Sequence, residues 1–136
     1  MVEKQFEEVA HTADIAIRVW GKDLADLFAN AASGMTWRLA DPGKVGRDVA
    51  RKIELDAYDV ETLLVSWLEE LLYLAEEAHY VFVAFDMHQV TRTHLRAVAR
   101  GGVVEQLRGS IKAVTFNDLA VVRTKIGYET TIVFDV

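Results

Sequence analysis

The sequence predicts an α+β domain in which two amphipathic helices pack on a mostly antiparallel β-sheet. Two segments repeat apolar residues with helical spacing, and most other apolar segments alternate with the period of two that is typical of strands. Hairpin-like connections between strand segments favour antiparallel pairing. The chain has 136 residues, of which 51% are hydrophobic, so it can bury one core and we expect a single domain over residues 1–136.

Each helical segment begins at an aspartate that can cap it. The first follows Asp23 and carries its apolar side chains on one face over residues 24–35. The second begins near Asp59 and has a wide apolar stripe over residues 64–75, which predicts burial against a sheet. Four glutamates beside that stripe are expected to face water: Glu69, Glu70, Glu76 and Glu77.

The predicted strands cover residues 15–20, 48–56, 81–85, 94–100, 118–124 and 128–135. Residues 81–85 are apolar on both faces, which predicts a central strand. Turns are predicted at residues 41–46 and 101–102, and a hairpin connection at 125–127.

A basic stripe follows one parity of the segment that begins near residue 94. Its members are Arg92, His94, Arg96 and Arg100. We interpret the stripe as charge that protects an edge strand from aggregation, and contact with RNA or an acidic partner is the alternative. The residues between these arginines include no aromatic side chain on which bases could stack.

Composition excludes several functional classes. The net charge of −6 argues against high-affinity nucleic-acid binding, and the absence of Cys excludes disulfides, thiol nucleophiles and thiolate zinc sites. Residues Met1–Lys4 are not followed by the apolar region of a signal peptide, and no apolar run reaches the roughly 20 residues of a membrane span. We therefore expect a cytoplasmic protein. Phosphate-loop, dinucleotide-binding and nucleophile-elbow motifs are absent from the sequence.

Five residues are candidates for chemistry. His11 and Asp14 can supply metal ligands or an acid–base pair, although a polar turn is the alternative. Asp135 lies beside the terminal carboxylate of Val136, and two such groups favour a hard cation between them unless the chain end is simply solvated. Lys112 lies in an apolar stretch, where it can bind an anion, pair with a carboxylate or extend its ammonium to water.

Three segments together resemble the archease family. They are residues 11–16, which open with His-Thr-Ala-Asp, together with 21–32, then residues 111–115 (Ile-Lys-Ala-Val-Thr) and residues 133–136 (Val-Phe-Asp-Val). The likeness runs over essentially the whole chain, and the combination is more specific than any one motif. Asn117 departs from the family pattern, which often has His at this position, so the resemblance gives position 117 no ligand role.

The resemblance implies an accessory protein and not an enzyme in its own right. Archeases stimulate the RtcB-type RNA ligase of tRNA splicing by promoting its guanylylation and multiple turnover, and a chaperone role toward a tRNA methyltransferase is also attached to the family. The resemblance further implies a divalent metal, calcium, held by Asp14, Asp135 and the terminal carboxylate of Val136. Lys112 falls at the family's functional lysine, and with His11 it is expected to act at the partner's active site.

Two alternatives come from other functional classes. A small metal-dependent phosphoester hydrolase would use His11 and Asp14 with a bound water. An RNA-binding module would use the basic stripe as its platform. The acidic net charge disfavours both, because it repels anionic substrates.

Overall fold

The computed structural model describes residues 4–9 and 14–136, which form an α+β structure as the sequence predicts. A 3₁₀ turn at Pro42–Lys44 confirms the turn predicted at residues 41–46. The helices are α1 (Leu24–Leu39) and α2 (Val60–Ala78). The strands are β1 (Phe6–Val9), β2 (Ile15–Gly21), β3 (Val49–Asp56), β4 (Tyr80–Val90), β5 (His94–Val103), β6 (Ala113–Val114), β7 (Val122–Thr124) and β8 (Gly127–Asp135).

The strands divide between two antiparallel sheets. One has the order β1-β2-β8-β6, with β7 also paired to β8, and the other has the order β3-β5-β4. Helix α1 contacts β2 and β4, and helix α2 contacts β4 and β6, so each helix touches both sheets. Strand β8 has three neighbours in its sheet, and its residues Ile132 and Phe134 belong to the core shared with the helices.

Both helices begin where the sequence predicts, at capping aspartates. The side chain of Asp23 accepts a hydrogen bond from the backbone N–H of Asp26 at 2.7 Å, and that of Asp59 accepts one from Thr62 at 2.8 Å. Each cap satisfies a backbone donor that the first helical turn leaves open. No helix in the described part of the chain is long and apolar enough to cross a membrane.

Strand β5, and not β4, is central in the three-stranded sheet, so two sequence predictions were wrong. The basic stripe does not lie on an edge strand, and residues 81–85 do not form a central one. A shift of register between Phe82 and Ala84 in β4 interrupts the usual alternation of faces. Consecutive apolar residues therefore arise here from a bulge and from helix packing at Val81 and Phe82, which are buried, while β4 stays at the sheet edge.

The glycine pair at residues 101–102 lies within β5 and does not end it. A Cβ atom on Gly101 would lie 1.9 Å from the carbonyl oxygen of Val81, so no other residue fits where β4 approaches β5. Glycine marks a close approach of two backbones here and not the predicted turn. The predicted hairpin at residues 125–127 is confirmed, since it joins β7 to β8.

Buried hydrogen bonds join the two helices to each other and join α1 to strand β4. Trp67 of α2 is fully buried, and its indole N–H donates to the carbonyl of Phe28 in α1 at 3.0 Å. The Thr36 hydroxyl donates to the carbonyl of Phe82 in β4 at 2.8 Å. Because buried polar groups without partners destabilise a core, these bonds fix how α1 lies against its neighbours.

Candidate functional site

The pairing of β2 with β8 brings together two carboxylates from opposite ends of the chain. The register runs from Gly21 opposite Tyr128 to Ile15 opposite Phe134. Asp14 immediately precedes Ile15 and Asp135 immediately follows Phe134, so the same register continued by one position would place the two aspartates opposite each other. Directly opposed residues of an antiparallel pair lie on the same face, with Cβ atoms about 5 Å apart. We refer to this end of the sheet, with Asp14, Asp135, Val136 and Lys112, as the tip.

Lys112 reaches the tip through the short strand β6. In that pairing Ala113 lies opposite Asp135, and the backbone N–H of Lys112 donates to the carbonyl oxygen of Asp135 at 2.7 Å. The Lys112 side chain is exposed. This exposure leaves the ammonium accessible to solvent and to an anion.

The remaining predicted site residues differ in what the structure says of them. Val136 is half-buried and packs against the edge of the core. His11 lies outside the described residues. Asn117 is exposed, and its backbone N–H donates to the hydroxyl of Thr115 at 3.2 Å.

Two glutamates of α2 hold the segment that carries Lys112, and the sequence analysis missed them. Glu69 accepts a hydrogen bond from the backbone N–H of Val114 at 3.0 Å, and Glu61 accepts one from Val121 at 2.9 Å. The prediction that Glu69 only faces water is therefore wrong. Since β6 has just two residues, these acceptors replace ladder bonds that a longer strand would have made. The available signal was a carboxylate at the margin of an apolar stripe, which is too common to identify such a role.

The oxygen donors at the tip are of the type that a hard cation prefers. Asp14 and Asp135 present carboxylate oxygens, which Ca²⁺ and Mg²⁺ prefer to nitrogen or sulfur. No cluster of three or more His, Cys, Asp or Glu side chains in the described ranges is placed to hold a metal ion. A cation at the tip would therefore need further oxygen ligands, water included, in addition to the two side chains.

The basic stripe lies among carboxylates of the neighbouring strands. His94 is 2.7 Å from Asp56 and 3.2 Å from Glu54, both on β3. Arg100 pairs with Asp86 of β4 at 3.0 Å. Two of the four members of the stripe, His94 and Arg100, thus contact carboxylates within the sheet, which disfavours the stripe as a platform for nucleic acid.

Fold and tip together define a class of protein: a small two-sheet α+β domain with a carboxylate pair and a lysine at one end of its larger sheet. Comparison with known proteins identifies the family. The chain belongs to the Archease protein family (MTH1598/TM1083), whose model matches residues 6–136.

Relatives match over nearly their full length. The protein archease of Methanosarcina acetivorans is 37% identical, over 98% of this chain and 97% of that protein. The protein archease of Saccharolobus islandicus strain M.14.25 is 39% identical, over 98% and 99%.

Two solved structures share the fold. The solution structure of Methanobacterium thermoautotrophicum protein 1598 superposes with a TM-score of 0.83 at 28% identity, covering 98% of this chain and 100% of that one. A Thermotoga maritima crystal structure, described as an archease and possible chaperone, has a TM-score of 0.69 at 18% identity, covering 96% of each chain. At that identity the second likeness supports the α+β fold alone.

Proposed function

We propose that this chain is an accessory protein that activates an RtcB-type RNA ligase in tRNA splicing, by promoting guanylylation of the ligase and its multiple turnover. One observation carries the proposal: Asp14, Asp135 and Lys112 come from three distant segments and converge at one end of the sheet. These are the positions at which the archease resemblance places the functional residues. Residues that served only to stabilise the hydrophobic core would not need to be charged and to meet at an exposed end of the sheet.

We further propose that the tip holds a divalent metal, calcium. The ligands would be the carboxylates of Asp14 and Asp135 and the terminal carboxylate assigned to Val136. Three carboxylates at one place repel each other, and a cation between them removes that repulsion. Ca²⁺ accepts six to eight oxygen ligands in flexible geometry, so three carboxylates with water form a suitable set.

The tip would act by entering the ligase's nucleotide site. A bound metal ion supplies positive charge that attracts and orients phosphate oxygens. The Lys112 backbone is bonded to that of Asp135, and the exposed Lys112 ammonium would pair with a phosphate or with an acidic group of the ligase. His11, three residues before Asp14 in the sequence motif, is expected from the family resemblance to contribute a donor or acceptor there. An acidic helper approaches the basic RNA-binding surface of a ligase without competing for its RNA.

The test is RNA ligation by a purified RtcB-type ligase, with RNA in excess, in the presence and absence of this chain. The ligase alone is expected to stop after about one turnover, and the wild-type chain to sustain ligation. Asp14→Ala and Asp135→Ala are expected to abolish the stimulation without unfolding the domain. Asp48→Ala, which removes an exposed carboxylate outside the tip, is the control and is expected to stimulate normally. Full stimulation by both tip variants would refute the proposal.

A chaperone role toward a tRNA methyltransferase is the second candidate. Membership of the archease family, to which this role is also attached, supports it. It predicts that the chain raises the yield of active methyltransferase during refolding and leaves ligation unchanged. Phosphoester turnover by the isolated chain, lost in Asp14→Ala, would instead establish the hydrolase alternative.

A further inference from the structure

A cavity of about 260 Å³ lies directly behind the tip, between β2, β8 and the carboxyl-terminal end of α1. Its floor includes Ile15 and Phe134, the chain neighbours of Asp14 and Asp135. The walls combine aromatic and charged side chains, and the charges are mainly positive. Among the described residues that line the cavity, Lys4, Arg38 and Arg108 face a single carboxylate, Glu8.

Arg38 has an unusual environment for a charged group. Its Nε atom is buried and has no hydrogen-bond partner among the residues that the structure describes. Gly109 contributes to this enclosure, because a Cβ atom there would lie 2.9 Å from that Nε atom. A buried donor without a partner is rare in folded proteins and requires an explanation, of which a missing ligand is one.

The other charged and aromatic groups of the cavity are held in place. Arg108 donates to the carbonyl oxygen of Trp37 and, at 3.2 Å, to that of Ala40. Its guanidinium thereby caps the carboxyl-terminal end of α1. The Lys4 ammonium lies 5.1 Å from the centroid of the Trp37 ring. Trp37 is itself 44% exposed, an unusual fraction for so large an apolar ring, and it forms part of the cavity wall. A flat ring and several cations are therefore presented together to one ligand.

We propose that this cavity binds the phosphate of a nucleotide, with Arg38 donating to the phosphate oxygens and Trp37 stacking on the base. A guanidinium matches phosphate in geometry and charge, and base stacking on an aromatic ring tolerates any base. The site is independent of the ligase proposal, because it concerns a ligand of this chain alone. Free mononucleotide and the terminal nucleotide of an RNA present the same phosphate and ring.

Calorimetric titration of the full chain tests the assignment with adenosine 5′-monophosphate, adenosine and inorganic phosphate. Arg38→Met keeps the apolar stem of the side chain and is expected to weaken monophosphate binding about tenfold. Arg96→Met removes the same charge from β5 and is expected to leave the affinity unchanged. Thermal unfolding of both variants verifies that they are folded.

Two further variants separate the roles of phosphate and ring. Trp37→Leu is expected to weaken binding of the monophosphate and not of inorganic phosphate, since only the former has a base to stack. Glu8→Gln is expected to tighten binding of both, because it removes the carboxylate that opposes the anion. These opposite signs would not follow from a general loss of stability.

The source of the nucleotide is resolved by competition. A short RNA with a 3′-phosphate that displaces the monophosphate from the wild-type chain identifies an RNA end, and failure to displace it identifies a free nucleotide. Three results would overturn the assignment: adenosine binding as tightly as its monophosphate, equal weakening by Arg38→Met and Arg96→Met, or no binding at millimolar concentration. None of them bears on ligase stimulation, which the tip variants test separately.

Discussion

The hydrogen bond between Glu69 and Val114 gives a sharp prediction about how α2 supports the tip. Val114 is 5% exposed, and its backbone N–H donates to Glu69 at 3.0 Å. Glu69→Ala removes the acceptor and leaves that buried donor without a partner. Glu69→Gln keeps an oxygen acceptor of the same reach and loses only the charge.

The expected magnitude follows from the burial of that donor. An unsatisfied buried N–H costs about 1–3 kcal/mol of unfolding free energy, whereas loss of charge assistance alone costs less than about 1 kcal/mol. For a domain of this size, each kcal/mol lowers the melting temperature by roughly 3–5 °C. Glu69→Ala is therefore expected to melt about 3–15 °C below the wild type. Glu70→Ala, at the adjacent position, is the control and is expected to change stability by less than about 0.5 kcal/mol.

Two measurements check this reasoning. Thermal unfolding gives the stability ranking, and amide hydrogen exchange reports the Val114 N–H directly, which is expected to exchange faster in Glu69→Ala than in Glu69→Gln. Ligase stimulation, measured where all variants are folded, is expected to fall in Glu69→Ala, because β6 carries Lys112 to the tip. Equal melting temperatures and equal exchange in Glu69→Ala and Glu70→Ala would refute the role of Glu69.

Two other predictions concern the chain end and a helix cap. Residues appended after Val136 convert the proposed terminal ligand to an amide and are expected to weaken Ca²⁺ binding at least tenfold in calorimetry, so that equal affinity of tagged and untagged protein would contradict the metal assignment. Hydrogen bonds from the side chain and backbone of Thr62 lower the pKa of Asp59 below its ordinary 3.8. The ionised cap therefore adds stability above pH 3.8 that is lost as pH falls through the lower folded-state pKa, and the melting-temperature advantage of wild type over Asp59→Asn should disappear on acidification.

Local signals predicted the helices well, because capping is a short-range property. Asp23 and Asp59 each precede an apolar stripe and satisfy a donor three residues later, so the sequence alone determines where α1 and α2 begin. The order of strands in a sheet, by contrast, depends on contacts between residues that are distant in the sequence. The apolar run at residues 81–85 reflects a bulge and helix packing, which periodicity cannot distinguish from a central strand.

Only part of the tip and its support could be predicted from the sequence, because both depend on contacts between distant residues. Carboxylates near both ends of a chain suggest a shared site only if the strands that carry them are neighbours, and the family resemblance supplied that assumption. The register of β2 with β8 gives it a structural basis at Asp14 and Asp135. The roles of Glu61 and Glu69 were inaccessible, because a half-buried glutamate that binds a distant backbone N–H has the same local pattern as one in water.

The alternation of side chains along β8 separates the tip from the cavity behind it. Phe134 is buried and lines the cavity, and Asp135, the next residue, is exposed, so the two project from opposite faces of the strand. On the neighbouring strand, Ile15 begins β2 and also lines the cavity, and Asp14 precedes it in the chain. A cation at the tip and an anion in the cavity would thus use different donors and attract each other across a single layer of backbone. Occupancy of one site should then favour the other and not compete with it.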